Sequence, residues 1–236
     1  MVLDPANKKN TALPLKVLIS ESTFSKNSAQ SQSVIMVKEN AELEVESSEF
    51  SENFSFDKGG VIRGDYTWTK TTIRNSTFSR NGAFLGGVFA VLSQSTLQCL
   101  NCQILNNFAV TGAVAYSGIH GTFSLRNSTV ADNLAVSVKL AEFFDAKNGH
   151  QQILNSSISG NLLVSEASLV EEAQGQVGCR QFCFFSAQFT QFLLANLDAF
   201  PDSVSPVLFK VTQAEIKIGE GTRVSQEQAL LESSSS

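Results

Sequence analysis

The feature that most constrains this chain is a four-residue motif that returns at a nearly fixed interval. Phe24-Ser25-Lys26-Asn27, Phe50-Ser51-Glu52-Asn53 and Phe78-Ser79-Arg80-Asn81 are near-copies, and weaker copies begin at Ile104, Val130, Ile158 and Phe185. The steps between first positions are 26, 28, 26, 26, 28 and 27 residues, inside the window that marks stacked repeats. A last, degraded copy lies near Val224, after an insertion between Thr190 and Pro206. A unit this short cannot bury a core alone, so each repeat must bury its apolar residues against its neighbours.

Aligning the repeats on the Phe position decides what kind of solenoid this is. Seven residues upstream stand Val17, Leu43, Thr71, Leu97, Phe123 and Gln151; five upstream stand Ile19, Val45, Ile73, Cys99, Leu125 and Ile153. Between them lie Leu18, Glu44, Thr72, Gln98, Ser124 and Gln152, mostly polar and read as outward-facing. Period-two alternation marks a strand with one buried face, whereas a helical repeat needs apolar spacings of three to four. Because the alternation recurs once per repeat, the strands stack in parallel register. The expected fold is all-β, a single-stranded right-handed parallel β-helix of about seven or eight rungs with three short strands in each.

Further columns specify the turns. Asn27, Asn53, Asn81, Asn107, Asn133 and Asn161 align three residues after the Phe position. Asn tolerates left-handed backbone, and stacked amides can donate in one direction and accept from the other. A second amide column holds Asn75, Asn101, Asn127 and Asn155, next to a small-residue column of Ser22, Ser48, Ser76, Cys102, Ser128, Ser156 and Cys183. Gly59-Gly60, Gly86-Gly87 and Gly112 follow the main Asn column, where the chain turns into its next strand.

These residues resemble the repeats of the chlamydial polymorphic outer-membrane proteins, which pair a Phe-x-x-Asn motif with a Gly-Gly-Ala-aliphatic motif. Phe24, Phe50 and Phe78 open full copies of the first. Gly59-Gly60-Val61-Ile62 and Gly86-Gly87-Val88-Phe89 are similar to the second with Val for Ala, and Gly112-Ala113-Val114 keeps part of it. The resemblance runs from about Leu13 to Leu169 and implies a pectin-lyase-like β-helix. It also implies a surface protein, in some members an adhesin carried by a membrane barrel. No alternating barrel-length segment with aromatic girdles occurs in this sequence.

Composition narrows the function classes. With 17 Lys and Arg against 22 Asp and Glu, the chain lacks the concentrated basic face that nucleic acid requires. No apolar run is long enough for a transmembrane helix. The start, Met1 to Lys9, lacks the basic-then-apolar pattern of a secretory signal, and the end is Ser233 to Ser236. The sequence reads as a piece of a longer secreted chain, the alternative being an intracellular protein. Residues 1–12 form a lead-in, 13–169 the regular β-helix, 170–228 an irregular continuation with the insertion near 190–206, and 229–236 a flexible tail.

No residue reads as catalytic, cofactor-binding or metal-ligating. Cys99, Cys102, Cys179 and Cys183 could suggest a metal centre, but Cys102 and Cys183 share a column three rungs apart, on the order of 14 Å at the strand spacing of a sheet. Buried structural thiols are expected, with a local disulfide within either pair as the alternative. His120 and His150 look like turn residues without triad partners. The acidic run Glu42, Glu44, Glu46 is expected to be matched by Lys16, Lys70 and Arg74 in adjacent rungs, while Asp65 and Asp132 stand alone. Sequons begin at Asn53, Asn75, Asn127 and Asn155, all in ladder columns where a glycan would remove a stacking amide. Of the aromatic residues 18 are Phe, against one Trp and two Tyr, which points to interior stacks. Phe182, Phe184, Phe185, Phe189 and Phe192 exceed what one rung can bury, and are expected to pack under the insertion or form a partner surface.

The leading expectation is a non-enzymatic structural or adhesive surface module. An intracellular scaffold subunit is the first alternative, and a carbohydrate-active or degenerate polysaccharide-cleaving protein the second. Open strand edges template further pairing, so a protein partner or a missing segment is expected over one end, with a surface glycan or protein as ligand and no cofactor.

Overall fold

The computed structural model describes residues 1–3, 14–31, 33–118, 120–136, 140–141, 144–147, 149–164, 205–206, 209–212, 215–219, 221–225 and 231–234. They form an all-β parallel solenoid. The turn from Lys70 to Val91 shows its plan. Strands Lys70–Arg74, Thr77–Ser79, Gly82–Leu85 and Phe89–Val91 follow one another, and each pairs in parallel with its counterparts one turn before and after. A turn therefore carries four short strands rather than three. Collected along the axis, they give sheets of 7, 7, 6 and 8 strands among the described residues.

Five four-stranded turns follow without interruption, from Leu15–Ser20 to Phe144–Lys147, fewer than the seven or eight expected. A sixth begins at His150–Leu154. Beyond it the repeat count miscarries at one identifiable place. The expected rung at Phe185 is absent from the second sheet, where Ile158 pairs with Val130 on one side and directly with Val224 on the other. The degraded copy near Val224 is therefore the next rung after Ile158. Phe185, its aromatic neighbours, Cys179 and Cys183 lie outside the described residues. Strand Ser205–Pro206, at the edge of the expected insertion, pairs with Leu140–Ala141.

The apolar columns form the core as the alternation requires. Leu43, Leu97 and Phe123 in one column, and Val45, Ile73, Cys99, Leu125 and Ile153 in the other, are buried. Phe50 lies between Phe24 and Phe78 with ring centroids 5.0 Å away on each side and planes within 7°. Parallel register fixes this spacing, because equivalent residues are one strand apart. Two positions read as outward, Thr72 and Ser124, are nevertheless buried. They are short side chains flanked in register by the longer Glu44, Gln98 and Gln152, which shade them from solvent.

The glycine turns divide their labour. Gly59 and Gly86 both have φ of +67°, a left-handed bend from the third strand into the fourth. The residues after them need space instead. A Cβ on Gly60 would collide with the carbonyls of Gly87 and Gly82, and one on Gly87 with those of Ala113 and Phe108.

Candidate functional site

The main Asn column is a continuous ladder, and its geometry explains the residue choice better than backbone tolerance does. The left-handed residues are Lys26, Glu52, Arg80, Asn106 and Asp132, each one position before a ladder Asn. The ladder side chains instead serve as connectors. Asn81 donates its backbone N–H and its Nδ2 to Oδ1 of Asn107, at 2.9 and 3.0 Å, and its second Nδ2 hydrogen to the Phe50 carbonyl at 2.9 Å. Its own Oδ1 accepts the same two donors from Asn53. The pattern repeats at Asn53, Asn107 and Asn133, all buried, so each amide is fully bonded without water.

The second amide column does carry the left-handed bend, with φ between 47° and 54° at Asn75, Asn101, Asn127 and Asn155. Its side chains are exposed and pair across rungs, Asn101 donating to Asn75 at 3.1 Å and Asn155 to Asn127 at 2.8 Å. The sequons therefore separate. Asn53 is buried in the inner ladder, whereas Asn75, Asn127 and Asn155 stand on an exposed corner, where a glycan would cost only a solvent-accessible hydrogen bond.

The adjacent Ser column is a third ladder. Ser48 Oγ donates to the Glu46 carbonyl and accepts the backbone N–H of Ser22, and Ser128 Oγ does the same with Arg126 and Cys102. Cys102 departs from it because its sulfur is bonded to Cys99 in a buried disulfide. That is a correction to the expected free thiols. The residue at 99 points inward and the residue at 102 sits just past the bend, which brings their Cα atoms to 6.0 Å.

The charged candidates are held in local pairs. Lys16 meets Glu42 at 3.0 Å, and the carboxylate raises the Lys16 ammonium above its ordinary range through that hydrogen bond. Lys70 and Arg74 lie in register beside Glu42 and Glu46 but form no ion pair with them. Asp65 is not alone. Arg63 reaches its Oδ2 at 2.7 Å and that of Asp57 at 2.8 Å, in a cluster that leaves Arg63 only 13% exposed. Asp132 is exposed at a left-handed bend. His120 is a turn residue as expected, but His150 opens the strand His150–Leu154. Among the described residues no three His, Cys, Asp or Glu side chains gather to hold a metal ion. Among them, too, no helix is long and apolar enough to cross a membrane.

Sequence reasoning missed one place. The corner linking the fourth strand to the next turn uses Glu39-Asn40, then Ser93-Gln94, then His120-Gly121 in three rungs, but Tyr66-Thr67-Trp68 in the second. Tyr66 and Trp68 have φ of 71° and 64°, and are 45% and 73% exposed. Bulky side chains in that region cost about 1–3 kcal/mol each, and residues so placed deserve a functional reading. Neighbours pin the loop. Asn40 N–H donates to the Thr67 carbonyl at 3.1 Å, Ser95 Oγ to the Tyr66 carbonyl at 3.2 Å, and Tyr66 N–H to Asp65 Oδ1 at 2.9 Å. The Lys38 ammonium lies 5.4 Å from the Tyr66 ring centroid. The available signal was the chain's only Trp, standing where other rungs place turn formers.

No protein-family model matches the chain, and neither a curated protein nor a solved structure is significantly similar to it.

Proposed function

We propose that this protein is a non-enzymatic structural or adhesive β-helix module, displayed at a cell surface as part of a larger chain or assembly. The observation that carries the reading is the bonded Asn ladder beside the Phe stack: the repeated side chains are spent on a rigid rod, which is what a spacer or a display scaffold requires. The buried Cys99–Cys102 disulfide supports an oxidising compartment, where such bonds persist. The resemblance to polymorphic outer-membrane protein repeats supports the same placement. Met1, Val2, Leu15 and Leu18, four of the six exposed large apolar residues of the described chain, lie at the N-terminal end of the solenoid. Among the described residues Val2–Leu3 and Leu15–Ser20 are the outermost strands of their sheets at this end, and that apolar fringe favours a protein partner or a further segment packed over them.

The test is surface labelling of intact source cells with an antibody to the chain, together with the native mass before and after deglycosylation. Labelled cells and a mass well above 25.5 kDa are expected. An unmodified chain of that mass, inaccessible on intact cells and co-purifying with an internal complex, overturns the surface reading in favour of a scaffold subunit. Release of new reducing ends from any of a panel of polysaccharides overturns the non-enzymatic one.

A further inference from the structure

We infer that the corner loop carrying Tyr66 and Trp68 is a saccharide-binding site, with Trp68 as the stacking platform. The inference deepens the adhesive reading, and rests on it, by naming the ligand class and the residues that would meet it.

The internal repeat supplies the control. Every rung must turn this corner, and three other described corners do so with Asn40, Gln94 and His120 in left-handed backbone. Asn, Gly and small polar residues accept such bends at least cost, so the corner itself does not ask for a tyrosine and a tryptophan. What the two aromatics add is surface. Trp68 is the most exposed large apolar side chain of the described residues, and the bonds to Asn40, Ser95 and Asp65 hold its loop in place before any ligand arrives. A pinned loop loses little freedom on binding, which is the condition for useful affinity from a small contact.

The surroundings choose between ligand classes. A protein hot spot sits inside a wider apolar patch that seals it from water. Among the described residues, the corners directly on either side of Trp68 present no exposed large apolar side chain, and the exposed Leu15 stands two rungs away in register. The flanking corners are exposed amides, a carboxylate and an imidazole: Asn40, Gln94, Glu39 and His120. An aromatic face bordered by planar hydrogen-bonding groups fits a ligand that has C–H faces and hydroxyl edges, which is a pyranose. The Lys38 ammonium lies over the Tyr66 ring, which leaves the more exposed Trp68 as the stacking face.

Because Trp68 is the only tryptophan, its emission reports the site directly. The full chain is titrated with cello-, manno- and N-acetylglucosamine-based oligosaccharides to 10 mM as about the weakest affinity worth pursuing. A saturable emission change with at least one of them is expected. Tyr66→Gly is expected to weaken it about tenfold, and Trp68→Gly to abolish binding by saturation-transfer NMR, both with melting temperatures equal to or above that of the parent. Undiminished binding in Trp68→Gly, or no response across the panel, overturns the site. Cell attachment separates this from the broader reading. Attachment that survives Trp68→Gly or periodate treatment of the target cells, from a parent that binds no oligosaccharide, leaves an adhesin with a protein partner and removes the saccharide site. Absence of any attachment by the parent chain, with oligosaccharide binding intact, removes the adhesive role and keeps the site.

Discussion

Asn81 donates twice to one atom of Asn107: its backbone N–H and its Nδ2 converge on the same Oδ1, at 2.9 and 3.0 Å, with both residues fully buried. Removing that oxygen strands two donors in a dry interior. Asn107→Ala is therefore expected to cost about 3–5 kcal/mol, from donors left unsatisfied at about 1–3 kcal/mol each together with the orphaned Phe78 carbonyl. Asn27, at the exposed end of the ladder, is expected to lose less than about 1 kcal/mol on the same change. Urea unfolding of the two variants checks the ordering; equal losses would mean the ladder contributes through backbone conformation alone.

Cys99 and Cys102 each stand in a column whose ordinary occupant is known, an aliphatic residue and a serine. Reduction of the parent is expected to lower stability by about 2 kcal/mol, the loop-closure value for so short a ring. The pair Cys99→Val with Cys102→Ser is expected to recover most of that by restoring the apolar stripe and a serine beneath Ser76. Melting with and without reductant, in a background carrying Cys179→Ser and Cys183→Ser, reads both effects, and there the double variant should be indifferent to reductant.

Phe50 is sandwiched, and Phe24 covers it from one side only, itself partly exposed. Phe50→Ala is expected to destabilise by about 3–5 kcal/mol, and Phe24→Ala by clearly less, since a cavity at the end of a stack opens to water rather than remaining empty. Phe50→Ile, which copies Ile104 of the same column, is expected to fall between them. Denaturation midpoints at unchanged slope would establish the series.

Gly87→Ala is expected to be strongly destabilising, because its Cβ meets backbone carbonyls that cannot move without breaking two rungs. Asn75→Gly, at φ 52°, is expected to be near neutral. Soluble yield and melting temperature compare the two. A well-folded Gly87→Ala protein with parental melting would refute the close-approach argument.

Expressed through a eukaryotic secretory pathway, the chain is expected to carry glycans at Asn75, Asn127 or Asn155 and none at Asn53. Exposure at the corner permits transfer at the first three, and burial in the inner ladder forbids it at the fourth. Glycopeptide mass spectrometry decides the point, and occupancy at Asn53 in folded protein would contradict the ladder.

The repeat interval and the alternation at positions such as Leu43, Val45, Ile73 and Leu125 were enough to specify parallel stacked strands, because a one-residue slip would turn every apolar residue outward. The same columns named the inner Asn ladder in full. They went wrong where one sequence position does two jobs. The bend belongs to Lys26, Glu52 and Arg80 rather than to the Asn after them, since conformation is set residue by residue and the alignment could not tell a bent residue from its bonded neighbour. Asn75 and Asn81 likewise look equivalent as ladder members, and only their placement separates an exposed corner from a buried one.

What the sequence by itself determined is the periodic part: the all-β class, the parallel register, the apolar stripes and the identity of the laddered amides. These follow from local pattern repeated at fixed spacing. What only the tertiary structure decided is everything that depends on which residues the coil brings face to face. Val224 rather than Phe185 stacks on Ile158, Cys99 reaches Cys102, and Arg63 gathers Asp57 and Asp65. Tyr66 and Trp68 become a rigid exposed step only because Asn40 and Ser95, from the rungs on either side, hold their loop. Contacts between rungs are long-range, so a linear pattern can state that the rungs stack, while the folded coil alone fixes what each corner presents to the outside.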